Sequence, residues 1–161
     1  MYLEMYANQW KGWVYPPGLG AGLPPEKRWP VFVFKPEVYN PPVMKCPSDL
    51  DAVEEHSYVL NSHLAEHKIK FSTKIATSSI LGLTNSDVIV MGEKVTDQPD
   101  YYMDGDSPTN PQGDFDRVVE PYRHGAKLGS NYLFLDLHVG SVYKKPNVML
   151  AGIDPWDPQA Q

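Results

Sequence analysis

The residues best suited to chemistry gather in one acidic loop. Asp104-Gly105-Asp106 and Asp114-Phe115-Asp116 set four carboxylates among Pro, Gly and Asn, with Asp97 and Asp100 just upstream. Hard oxygen ligands on a turn-rich loop are what calcium selects. Asp104, Asp106, Asp114 and Asp116 are the ligands expected for such an ion. The spacing is not that of an EF-hand, because the sixth position from Asp104 is Thr109 rather than Gly and the twelfth is Phe115. Asp-Gly is also plain turn chemistry, and a solvated turn is the simpler reading of the same residues.

The other reactive side chains are more scattered. His63 and His67 stand four apart and would share one face of a helix, a spacing that metal sites use. A zinc protease needs Glu directly after the first His, and Leu64 is there instead, so the pair reads as solvated histidines. A nucleophilic Cys needs a base and an electropositive pocket. The surroundings of Cys46 offer Asp49, Asp51, Glu54 and Glu55, which raise a thiol's pKa. The strongest catalytic constellation is His124, Asp136 and His138, with Glu93 as an acid, which would suit a metal-dependent hydrolase. Asp136-Leu137-His138 falls in a turn, however, where Asp bonds its own backbone. There is no Gly-rich phosphate loop, Ser elbow or Cys/His zinc spacing, and no residue is assigned a catalytic role.

The elements that must position these groups are short. Asn131 to Leu135 is apolar on both faces and reads as a buried strand. Val139 to Tyr143 resumes the pattern, so 130–143 reads as a hairpin with Asp136-Leu137 at a two-residue turn. Thr84 to Asp87 is a turn signal leading into a buried strand over Val88 to Met91. Residues 1–8 carry helix-compatible apolar residues, but about one and a half turns are unstable alone. They read as the tail of a longer helix.

Composition bounds what this arrangement can be. At 161 residues the chain suits one domain, residues 1–161, with a single core. Sixteen prolines are about twice the usual share, so loops take much of the fold. A net charge of −6 without any basic run argues against nucleic acid. One cysteine excludes an intramolecular disulfide. No apolar run approaches the ~20 residues of a membrane helix.

Five short phrases, in order, resemble the prepilin-type proteins abundant in planctomycetes and related bacteria. They are Met5-Tyr6-Ala7-Asn8 followed by Gly12-Trp13-Val14-Tyr15-Pro16-Pro17, then Cys46-Pro47-Ser48-Asp49, then Ser57-Tyr58-Val59-Leu60-Asn61. An apolar strand closing on Glu93 precedes the C-terminal signature, Arg123-His124 to Asp136-Leu137-His138. Asp154-Pro155-Trp156-Asp157-Pro158 is similar to the family's ending. The signature usually places nine residues between His and Asp-Gly; here eleven intervene, and Leu137 stands where Gly is expected. A primed turn wants positive φ at that position, which Leu resists.

The resemblance implies an α+β pilin-like head, with an N-terminal helix stub (1–8) packed on a small antiparallel sheet. It further implies that the anchoring and assembly helix is missing through truncation, processing or a misplaced start, leaving membrane attachment only through that helix. The function implied is a non-catalytic subunit of a pilus or pseudopilus, as in type II secretion or type IV pili, on the cell envelope or outside it. Partners would be copies of itself or other pilin-like subunits. Pseudopilins with a calcium-holding loop give the acidic stretch 97–116 the same reading. Arg123, His124, Asp136 and His138 become a structural motif, with His124 anchoring the Gly125–Ser130 loop and Arg123 paired to Glu93 or Asp136. The alternative is a calcium-dependent surface-binding module, to which exposed Trp10, Trp13, Tyr101 and Tyr102 would lend themselves.

Overall fold

A computed structural model describes Gly12, Val14, residues 29–30, 42–53, 56–66, 69–70, 84–103 and 117–142. Five strands form one sheet: β1 (Tyr58–Asn61), β2 (Ile89–Glu93), β3 (Tyr102–Met103), β4 (Ser130–Phe134) and β5 (Val139–Val142), in the order β3-β1-β2-β4-β5. A 3-10 turn over Pro42–Met44 and a four-residue helix, α1 (His63–Glu66), accompany it.

The expected α+β head with a helix stub on an antiparallel sheet is overturned. Among the described residues no helix reaches seven residues, and the sheet is mixed, because β3 runs parallel to β1. The stub itself, residues 1–8, lies outside the described residues, as do the Trp156 tail and most of the loop 97–116. The physical reason is economical. After Glu93 the chain hops across the start of β1 and pairs on its far side. Two strands that are not consecutive thus become parallel neighbours without a crossover helix. Nor is any described helix long and apolar enough to cross a membrane.

The sheet is buried on both faces along most of its length. Leu60, Val88, Val90, Tyr101 and Leu135 share one cluster with Val14, Trp29, Met44, Leu64 and Ile69. Val59, Ile89, Met103, Tyr132 and Phe134 face the other way, against Val118 and Val119. An irregularity between Ile89 and Met91 turns both Val90 and Met91 toward the first cluster. This is how a bulge re-aims a strand. Trp29 closes the first cluster, with its indole N–H donating to the Tyr101 carbonyl at 3.0 Å and its backbone N–H to the Tyr102 hydroxyl at 2.9 Å.

The hairpin differs from the two-residue turn expected. Leu137 N–H donates to the Phe134 carbonyl at 2.9 Å and Phe134 N–H to the His138 carbonyl at 3.0 Å, so Leu135, Asp136 and Leu137 form a three-residue loop. Such loops end on a residue in the left-handed region. Leu137 occupies it, at φ 72°, and is the one described non-Gly residue with positive φ. An L-residue there costs about 1–2 kcal/mol. Since Leu137 is 37% exposed, it repays little of this by burial. Leu137→Gly is therefore expected to raise the unfolding free energy by about 1 kcal/mol. Urea melts check this, and an unchanged or lower midpoint would show that the turn is not strained.

Candidate functional site

One end of the sheet is where β1 begins, β2 ends and β4 begins. Tyr58 lies opposite Glu93 and Gly92 opposite Tyr132, a register that sets Glu93 beside Asn131. Two loops close over this end. The turn after Pro42–Met44 delivers Cys46, Ser48 and Asp49, and residues 122–129 deliver Arg123 and His124. Ser57 carries the first loop, accepting from Cys46 N–H through its hydroxyl at 3.0 Å and donating its own N–H to the Met44 carbonyl at 2.8 Å. The second loop is closed by its backbone. His124 N–H donates to the Gly129 carbonyl at 2.9 Å, and Gly129 N–H to the Gly125 carbonyl at 2.8 Å. Gly125 and Gly129 adopt φ of 90° and 72°, the left-handed conformation that favours glycine.

Glu93 is fully buried and sits at the centre. Its Oε2 accepts the Asn131 N–H at 2.7 Å, which leaves Oε1 3.0 Å from His124 Nε2. The Cys46 thiol lies on the same carboxylate, and ligand atoms of Cys46, Glu93 and His124 fall within 4.8 Å of one another. Burial, with Glu93 adding to it, pushes the Cys46 thiol up from its ordinary value. Burial does the same to the Tyr58 phenol, with Cys46 and Glu93 contributing, to about 12. A thiol held protonated is a poor nucleophile. Burial is thus the main influence on the thiol, and among the described acids Glu93, from another strand, is the one that acts on it.

Beside this cluster runs a second network. The side chain of Arg123 is 8% exposed and Asp49 not at all, and Arg123 Nη1 reaches Asp49 Oδ1 at 3.3 Å. Nη1 also donates to Thr96 Oγ1 at 2.7 Å, Thr96 in turn donates to Asp49 Oδ1 at 2.7 Å, and Nη2 donates to the Lys94 carbonyl. Arg123 therefore takes Asp49 rather than the expected Glu93 or Asp136, and Glu93 belongs to His124. The His124 ring, expected to bond backbone near the hairpin turn, instead meets Glu93 and Asn131 at the other end of β4, while its backbone N–H closes the loop on Gly129.

The hairpin turn lies at the other end of β4, so Asp136 and His138 are not brought to His124. Asp136 Oδ1 accepts the His138 N–H at 3.1 Å and lies 2.6 Å from its Nδ1, while Ser86 Oγ donates to Oδ2 at 2.7 Å. Burial is the largest single influence and opposes ionisation, yet the bonds from Ser86 and His138 together outweigh it and hold the Asp136 carboxyl below its usual range. The His138 ring stacks on Phe134 with centroids 4.3 Å apart. These contacts shape the turn. They do not assemble a hydrolase site of His124, Asp136 and His138.

Elsewhere, His63 is buried rather than solvated, and His67 lies outside the described residues. Asp104, Asp106, Asp114 and Asp116 are outside them too. Of the acids upstream, Asp100 is paired with Arg117 at 2.7 Å. An apolar groove of about 390 Å³ runs beside the Glu93 cluster, lined by Tyr58, Met91, Asn131, Leu133 and Val139. The meeting of Cys46 with Glu93 and His124 had no local signal in the sequence, since it depends on how β2 and β4 align. Comparison with protein-family models, curated proteins and solved structures returned no match.

Proposed function

We propose that this chain is the head of a prepilin-type subunit that assembles into a pilus or pseudopilus on the cell envelope and performs no catalysis. One observation carries the proposal. Cys46 and Asp49, Glu93, and Arg123, His124 and Asn131 come from three phrases of the resemblance, and all of them meet at one end of the sheet. Phrases matched only by their order in the chain have no reason to converge in space by chance. What they do there is fasten two loops to three strands. Both oxygens of buried Glu93 meet partners, His124 and the Asn131 N–H, and Asp49 Oδ1 meets Arg123 and Thr96, a structural use of polar residues.

The same sheet also offers a surface for assembly. Among the described residues β5 is an edge strand, and Val139 on it is 67% exposed and lines the apolar groove. Edge strands with apolar side chains are sites of chain-to-chain pairing. Expressed in its native cells with a photo-cross-linker at Val139, the chain is expected to form ladders of self- or pilin-adducts in the sheared-filament fraction. A chain found only as uncross-linked monomer in the soluble fraction would overturn the proposal.

A further inference from the structure

We infer that Cys46, Glu93 and His124 form a binding site for a divalent transition-metal ion of the zinc class. A thiol, a carboxylate and an imidazole from three separate segments lie with their ligand atoms within 4.8 Å of one another. Around a tetrahedral zinc, bond lengths of 2.0–2.3 Å put ligand atoms about 3.3–3.6 Å apart. Glu93 Oε1 and His124 Nε2 are already at 3.0 Å, so the closure left to make is that of the Cys46 side chain.

A second observation points to a cation. His124 Nε2 has Glu93 Oε1 at 3.0 Å and Asn131 Nδ2 at 2.9 Å. One ring nitrogen carries either a proton or a lone pair, so it cannot donate to the carboxylate and accept from the amide together. With Asn131 Nδ2 donating, Nε2 keeps the lone pair that a metal ion takes, and an ion between the imidazole and the Glu93 carboxylate would bind both. Outer contacts are also in place. Asn131 N–H holds Glu93 Oε2 at 2.7 Å, and Ser48 Oγ lies 3.4 Å from His124 Nδ1. Metal-binding histidines use their second nitrogen in this way.

Charge and softness select the ion. A thiolate, a carboxylate and a neutral imidazole with a divalent cation sum to zero, which suits a site where Cys46 and Glu93 are buried. Thiolate and imidazole favour zinc-class ions over calcium or magnesium. Binding displaces the thiol proton to solvent, so affinity falls as the pH falls. The fourth position is left to water. The ion would tie the loop at Cys46 and the loop at His124 to β2, and this holds whether or not the head assembles.

Cobalt titration of the purified, reduced chain tests the inference, using Co²⁺ as a spectroscopic stand-in for zinc. The expected result is one Co²⁺ per chain with a sulfur-to-cobalt charge-transfer band, which stoichiometric Zn²⁺ removes. Cys46→Ser and His124→Ala are expected to abolish the band. Should a variant fail to fold, the wild-type titration decides alone. The absence of a charge-transfer band in the folded wild type at excess Co²⁺ would overturn the site. So would a band that persists in His124→Ala and Glu93→Gln, since the thiol would then be binding without its neighbours.

Discussion

Glu93→Ala is expected to lower the unfolding free energy by about 3–5 kcal/mol, the scale reached when a buried hydrogen-bond network loses its central member. The carboxylate is fully buried, and three groups depend on it: the Asn131 N–H at 2.7 Å, His124 Nε2 at 3.0 Å and the Cys46 thiol. Alanine leaves the Asn131 donor unsatisfied in a dry site, which alone costs about 1–3 kcal/mol. It also frees the His124 loop from β2. For a domain of this length, each kcal/mol shifts the melting temperature by about 2–4 °C, so a fall of roughly 10 °C is expected. Glu93→Gln keeps the shape and should lose less. Thermal or urea melts in the presence of a chelator isolate the chain's own contacts. A loss below about 1 kcal/mol would mean that the cluster contributes little to the fold.

The Arg123–Asp49 pair should respond on a similar scale, with a different signature. Asp49→Ala leaves the guanidinium buried beside Thr96 and the Lys94 carbonyl without its counter-charge, at an expected cost of about 3–5 kcal/mol. Arg123→Lys is not conservative here. The fork reaches Asp49, Thr96 and the Lys94 carbonyl at once, and an ammonium cannot span all three. Asp49 Oδ2 and Arg123 Nε are buried without hydrogen-bond partners, so part of the polar cost is already uncompensated in the native pair. Replacing both residues together, as Asp49→Leu with Arg123→Met, should therefore recover most of the loss, because a buried pair is often matched by apolar residues of similar volume. Equal loss in the single and paired variants would contradict this. The stability would then reside in the hydrogen bonds to Thr96 and Lys94.

Legibility in the sequence followed the length of each local signal. The apolar runs at Val88–Met91, Asn131–Leu135 and Val139–Tyr143 were long enough to mark β2, β4 and β5. β3 is two residues long and gives no periodicity, so the parallel pairing with β1, and with it the mixed sheet, had no signal. A three-residue turn with Leu137 at positive φ could be suspected only from the missing Gly. Its type is fixed by backbone bonds between Phe134, Leu137 and His138. At the candidate site each residue stood out, but their pairing did not. His124 and Glu93 are separated by 31 residues, and only the β2–β4 register decides that Glu93 meets His124 rather than Arg123. Cys46 looked exposed to nearby acids in sequence, whereas the carboxylate that acts on it comes from the centre of the sheet.

The claim on which the rest depends is that the signature histidine serves the fold through Glu93 rather than serving a reaction. A double-mutant cycle tests it most directly, with Glu93→Ala, His124→Ala and the double variant each melted in chelator. Groups in direct contact typically couple by about 0.5–3 kcal/mol. The expected result is a coupling of roughly 1 kcal/mol or more, with His124→Ala alone costing about 1–3 kcal/mol. Additive losses, with His124→Ala as stable as the wild type, would contradict it and return His124 to the list of candidate catalytic groups.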